Sequence, residues 1–411
     1  MLIQPFNKGH AMKHSFSNWG YTQAGSSRDL RIDFLRGMVM AALIVGHIEI
    51  FSWFNYLTWE RIGVVSGAEG FVIFAGIIMG FLYRKKIQQV GLYESVKLML
   101  ERAFKLYRVD VFVITSIALL ALIPFIDMTG ATTFTDRGAG VIYPLYPKPG
   151  TDLHTIIAQI LLLQAGPHEV QILGLYFVLF LFSPLAFYLL EKRQARLLSG
   201  LSIVLYMKNW AFPAMPTGTQ FEYGFPVLTW QLIFVHGIIF GYYKDEISNR
   251  FTGNKKIIGL TVAYILFIAF MLFSLNNPHQ FMPPSSKLTW IAPDIFNGWY
   301  TLYFQKNTLG VLRLVNYIVV LTVLFHLLTL FWAPINKMFG WFFITFGQAS
   351  LYVFILHVYV LLFIYNLPIF HGLTASYNSG NIWINTIGHA LAMGMLWTAA
   401  HYKIGQKWIP S

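Results

Sequence analysis

Residues 28–51 read RDLRIDFLRGMVMAALIVGHIEIF. Charged residues crowd the start of this stretch, and an apolar run follows that is interrupted only at His47 and Glu49. About 20 apolar residues, rising 1.5 Å each, cross a hydrocarbon core, so Gly37 to Phe54 reads as a first membrane span. Arg36 and His47 are separated by ten residues. On an α-helix that is three turns plus about 20°, which puts both on one face roughly 16 Å apart along the axis, with Asp33 within about 60° of them. With Arg36 at the inner edge, His47 is expected near the middle of the bilayer. Ionisable groups at that depth are costly and mark functional sites, and a neutral imidazole is what a general base requires. The alternative is structural: Arg36 snorkels to the headgroups while His47 bonds a neighbouring carbonyl.

The rest of the chain has the same character. Of its 411 residues 56% are hydrophobic and 11% charged, against about 25% charged in a soluble domain. This excludes a soluble globular enzyme. Further spans read at about 62–83, 109–126, 170–190, 195–210, 227–243, 257–275, 309–331, 341–365 and 381–402. The expectation is an all-α polytopic membrane protein, about ten transmembrane helices in one bundle. Its parts are a cytoplasmic N-terminal segment 1–36, a transmembrane domain 37–402 and a cytoplasmic tail 403–411. No linker or internal repeat divides it.

Most lysines and arginines, from Lys8, Lys13 and Arg28 through the runs at 84–86, 192–196 and 250–256 to Lys403 and Lys407, fall on one side if both termini are cytoplasmic. That is the positive-inside pattern. The net charge of +12 is therefore a topology signal, not a nucleic-acid footprint. Cysteine is absent, which excludes disulfides and thiolate nucleophiles. Among His236, His326, His389 and His401 no two stand at the i, i+3 or i, i+4 spacing of a helical metal-ligand pair, so no metal site is expected.

Glu69, in SGAEGFVIFAGIIMG (66–80), is a carboxylate inside the second span. Its partner is expected to be His47 or an arginine on an adjacent helix, in a functional role or a structural ion pair. Gly67 and Gly70, with Gly76 and Gly80 repeating the spacing, would let helix one approach closely. Residues 92–108, LYESVKLMLERAFKLYR, form a basic amphipathic helix on the cytoplasmic surface. Two long outer segments, 127–169 and 276–308, suggest an external substrate; within the first, 154–164 reads as re-entrant or interfacial. The outer aromatics Tyr143, Tyr146, Trp290, Trp299, Tyr300 and Tyr303 suit sugar stacking or an interfacial belt.

RDLRIDFLRG followed by His47, then AEGFVIFAG, resembles the opening of the OpgC family, glucan succinyltransferases related to the acyltransferase-3 superfamily. The resemblance continues through LLLQAGPHEVQILGLYFVLFLFSPL, FPVLTWQLIFVHGIIFG, LGVLRLVNYIV and FGQASLYVFILH. It implies that Arg36 and His47 are the essential pair and that His47 is the base. Asp33 or Glu69 is expected to orient its ring, and Arg36 to hold donor phosphate or the polar track. The donor would be cytoplasmic acyl-CoA, with succinyl-CoA the donor that the family suggests, and no cofactor would be tightly bound. The acceptor would be a periplasmic glucan or another glycan, the location the bacterial inner membrane. A paired-arginine motif at the CoA end has its nearest match in Arg102 with Lys105, and lysine lacks the bidentate fork; a basic helix face on anionic lipid explains the same two residues. His357 also matches a superfamily position. Direct transfer and an acyl-histidine intermediate are both compatible with the sequence. The reading from a different class is a transporter or channel using the same buried polar groups.

Overall fold

The computed structural model describes residues 19–22, 28–136, 141–279, 281–370 and 381–407. Lys8 and Lys13 of the N-terminal segment, Arg137 and the end of the tail lie outside the described residues. The first helix, α1, runs from Leu30 to His47. It starts inside the segment read as N-terminal tail because Asp29 caps it, its carboxylate accepting from the Arg31 amide at 3.0 Å. It stops at His47, well before the expected Phe54, as Ile48 turns to extended backbone (φ −78°, ψ 96°). His47 therefore ends the helix instead of lying inside it.

The second and third expected spans and the basic amphipathic segment form one long element, α2 (Gly67–Leu120), interrupted only at Gly91, whose φ of 82° a side chain would strain. The chain continues as α3 (Leu153–Leu161), α4 (Gln171–Glu191), α5 (Ala195–Ala211), α6 (Val227–Tyr242), α7 (Gly253–Leu275) and α8 (Val311–Leu330). The expected span 341–365 is broken into α9 (Trp341–Gln348) and α10 (Ser350–Tyr365), which meet at 90°, and α11 (Ile382–His401) closes the bundle. Among the described residues the fold is all-α apart from one small antiparallel ribbon, β1 (Thr133–Asp136) and β2 (Val141–Pro144), with Phe134 opposite Tyr143.

By length and composition, three helices of the described residues are able to cross a membrane: His168–Glu191, Gly253–Leu275 and Val311–Leu330. The broken pair makes a fourth if it is one span. This is fewer than about ten. The expected stretches are helical, but α1 carries Arg31, Asp33 and Arg36 within 18 residues, α6 has only 16 residues, and α11 is diluted by Asn385 and His389. The face of α7 formed by Ile257, Ile258, Val262, Ile265 and Ile268 is exposed, as suits a helix facing lipid.

Close helix contact rests on glycine. A Cβ on Gly76 or Gly80 would strike the carbonyls of Phe234 or Ile238 on α6, and one on Gly241 would strike Ile77 O on α2. Gly76 and Gly80 thus serve α6, while Gly67 (3.1 Å from Val39 O to its would-be Cβ) and Gly70 admit α1 as expected. The far side of α1 abuts α9 just as tightly, Gly37 against Phe343 O and Gly347 against Asp33 O, so α1 is wedged between neighbours. Replacing Gly241 by leucine forces a side chain into backbone, and overpacking of this kind costs about 1–3 kcal/mol or more. Thermal unfolding in detergent is expected to show a clearly lowered midpoint for Gly241→Leu and no loss for Gly259→Ala, where a Cβ meets open space.

Candidate functional site

The helix break at His47 leaves backbone groups without helical partners. Tyr365 of α10 satisfies two of them, its hydroxyl donating to His47 O at 3.1 Å and accepting from Glu49 N at 3.0 Å. His389 of α11 binds Ile48 O at 3.0 Å. The His47 ring is held from the same direction: its Nδ1 lies 2.8 Å from His357 Nε2, and His357 Nδ1 bonds the Phe354 carbonyl. A carbonyl only accepts, so His357 carries its proton on Nδ1 and presents a lone pair at Nε2. His47 Nδ1–H then donates to that lone pair, leaving His47 Nε2 unprotonated. The ring of His168 stands edge-on to His47, centroids 6.0 Å apart.

His47 lines a cavity of about 340 Å³, within the size range of small-ligand sites. One wall is apolar, from Leu35, Ala42 and Leu43 of α1 and Val320, Leu321 and Leu324 of α8. The other end is polar, with Ser66, Glu60, His168, Glu169 and Lys306. Burial pulls the Lys306 ammonium below the usual lysine range, against the opposing pull of Glu69.

Asp33 and Arg36 belong to the opposite end of α1. Asp33 is clamped by Arg28 at 2.5 and 2.8 Å and faces Arg36 at 3.6 Å; Arg36 also bonds Ser350 Oγ at the α9–α10 break. Fourteen residue steps along the helix, about 21 Å of rise, separate Asp33 from His47. Asp33 therefore does not reach the ring it was expected to orient. Glu69 does not either: it caps α2 through Ser66 (amide 3.0 Å, hydroxyl 2.5 Å) and pairs with Arg313. Of its two expected partners, the arginine on an adjacent helix is the one found. Arg313, 0% exposed, also binds Glu60 at 2.8 Å and Phe304 O at 2.8 Å.

Arg102 and Lys105 lie half-buried on the second half of α2. Burial lowers Arg102, and burial followed by repulsion from Arg102 and Arg108 lowers Lys105. Arg36 feels the charge of Arg102, so the predicted donor-side cations share one region at the Arg28 end of α1. The remaining histidines have separate partners, His236 with Ser199 and Leu232 O, and His326 with Tyr264. Among the described residues, no group of three His, Asp or Glu is arranged to hold a metal ion. Of the outer aromatics, Tyr146 bonds Ile114 O, Tyr300 bonds Glu60 and Trp299 stacks on Phe273, while Tyr143, Trp290 and Tyr303 are exposed.

Sequence reasoning left His357 without a role and passed over His168, Glu169 and Arg313 as site residues. Arg313 has a signal in the sequence, an ionisable group two residues into an apolar helix. His168 and Glu169 precede a span and become legible only when the turn folds back on α1.

A family model described as OpgC protein matches residues 28–408. No curated protein and no solved structure matches the chain.

Removing one member of a buried ion pair strands the other, at a cost of about 3–5 kcal/mol. Arg313→Ala is expected to lower the unfolding midpoint strongly, and adding Glu69→Gln to restore part of the loss, as read by thermal unfolding of the purified protein.

Proposed function

The chain belongs to the OpgC family, and from that premise we propose that it is a membrane-bound O-acyltransferase that moves an acyl group, succinyl in the family, from cytoplasmic acyl-CoA to hydroxyls of a periplasmic glucan. The observation that carries the reading is the bond series from Phe354 O through His357 to His47, which leaves a basic nitrogen on a residue that lines a substrate-sized cavity.

In the proposed reaction the acceptor hydroxyl gives its proton to His47 Nε2 as its oxygen attacks the thioester carbonyl. The tetrahedral intermediate collapses with loss of the CoA thiolate, which takes the proton back from the imidazolium. His357 keeps the ring in the right tautomer and shares the charge that develops on it, the work a carboxylate does in a Ser-His-Asp triad. Arg36, Arg102 and Lys105 hold the anionic donor at the cytoplasmic end, the thioester reaching along the apolar wall of α1. An acyl group passing first to His47 uses the same groups in the same places. In this arrangement both termini are cytoplasmic, and the helices other than the three or four apolar ones cross the bacterial inner membrane with their polar groups turned inward.

Purified protein in lipid nanodiscs, given succinyl-CoA and a glucose oligosaccharide, is expected to release free CoA and to add one succinyl mass to the sugar. Acceptor-independent counterflow of solute with no CoA release would point instead to transport. His357→Ala is expected to lower kcat about 10²-fold or more with little change in the KM for succinyl-CoA, because the orienting partner is lost while donor contacts remain. Arg102→Ala is expected to raise the donor KM and leave the acceptor KM in place, as read by initial rates at varied concentrations of each substrate.

A further inference from the structure

Glu169 lies on the short 3-10 turn His168–Val170 that leads into α4. It is 2% exposed, neither carboxyl oxygen has a hydrogen-bond partner, and it lines the cavity that holds His47. A carboxyl buried without donors is costly. His168 Nδ1 stands 3.4 Å from Oε2, an ion-pair contact when the ring is protonated but too long for a good hydrogen bond, so both oxygens can still accept from donors that enter the cavity. Two carboxyl oxygens side by side, neither with a hydrogen bond, fit two O–H donors on neighbouring atoms. Lys306 lines the same cavity and makes no ion pair within 4 Å among the described residues, which leaves an N–H donor for an acceptor oxygen.

We propose that Glu169 is the acceptor-binding residue: its oxygens take hydrogen bonds from hydroxyls adjacent to the reacting one, so that the cavity selects a polyol with neighbouring hydroxyl groups, such as a glycosyl ring, over a simple alcohol. This rests on the acyl-transfer reading and adds to it the group that recognises the acceptor. A site built to bond a substrate hydroxyl discriminates strongly against an analogue lacking it, whereas a purely structural Glu169 has no means of telling two alcohols apart.

The test compares acyl transfer from succinyl-CoA to a glucose oligosaccharide with transfer to a monohydroxy alcohol, in wild type, Glu169→Gln and Glu169→Asp. The expected result is an acceptor KM for the oligosaccharide raised about 10-fold or more in Glu169→Gln, a smaller rise in Glu169→Asp, and a correspondingly reduced preference for the sugar. The KM for succinyl-CoA should stay within about twofold of wild type, which also shows that the variants are folded. An active wild type whose sugar-to-alcohol preference is unchanged in both variants overturns the proposal and leaves the acyl-transfer reading standing. A wild type that acylates neither acceptor overturns both.

Discussion

The hydrogen bond between His47 and His357 joins the end of α1 to the middle of α10, and the arrangement of the site follows from it. A carboxylate would orient an imidazole equally well but would bring a charge into apolar surroundings, where an ion is expensive unless fully paired. A second histidine does the same work without net charge, provided that its own proton is fixed, and the Phe354 carbonyl fixes it. The break in α1 serves the same end. Stopping the helix at His47 frees carbonyls that Tyr365 and His389 then take up, so α10 and α11 grip the residue through its backbone as well as its ring. Irregular backbone of this kind is tolerated at membrane depth only where protein encloses it.

The two ends of α1 have opposite chemistry, and the packing keeps them apart. At one end Arg28, Asp33 and Arg36 form a charged cluster that reaches Ser350 and feels Arg102. At the other, His47 meets His168 and the polar end of the cavity. Between them the helix shows an apolar wall to α8. The Glu69–Arg313–Glu60 cluster ties α8 to the start of α2 and so holds that wall in register with His47. Glycines on α1, α2 and α9 set how closely these helices pack, which lets segments distant in the sequence meet.

Much of this was legible in residues 28–51, because periodicity along one helix is a local property. The charged end, the shared face of Arg36 and His47, and the long apolar stretches could all be read from spacing. Helix ends were harder: Asp29 extended α1 backwards as a cap, and the apolar IEIF after His47 hid the stop. The pairings of Glu69 with Arg313 and of His47 with His357 span 244 and 310 residues. No single sequence encodes such a contact in its spacing, since it depends on which helix faces which. The same holds for Gly76 and Gly80, whose small-residue pattern announced a close neighbour without saying that it would be α6. Membrane character was clear from composition, but by length and hydropathy three or four helices of the described residues qualify as spans, because others are short, as α6 is, or diluted by polar side chains, as α1 and α11 are.

The central claim is that His47 is the base on which transfer depends. It is tested most directly by the rate of CoA release from succinyl-CoA, with a glucose oligosaccharide as acceptor, in wild type and His47→Ala of matched thermal stability. The account predicts a loss of about 10²–10⁴-fold, the usual contribution of a positioned general base, with donor binding retained. Full activity in the folded variant would contradict it.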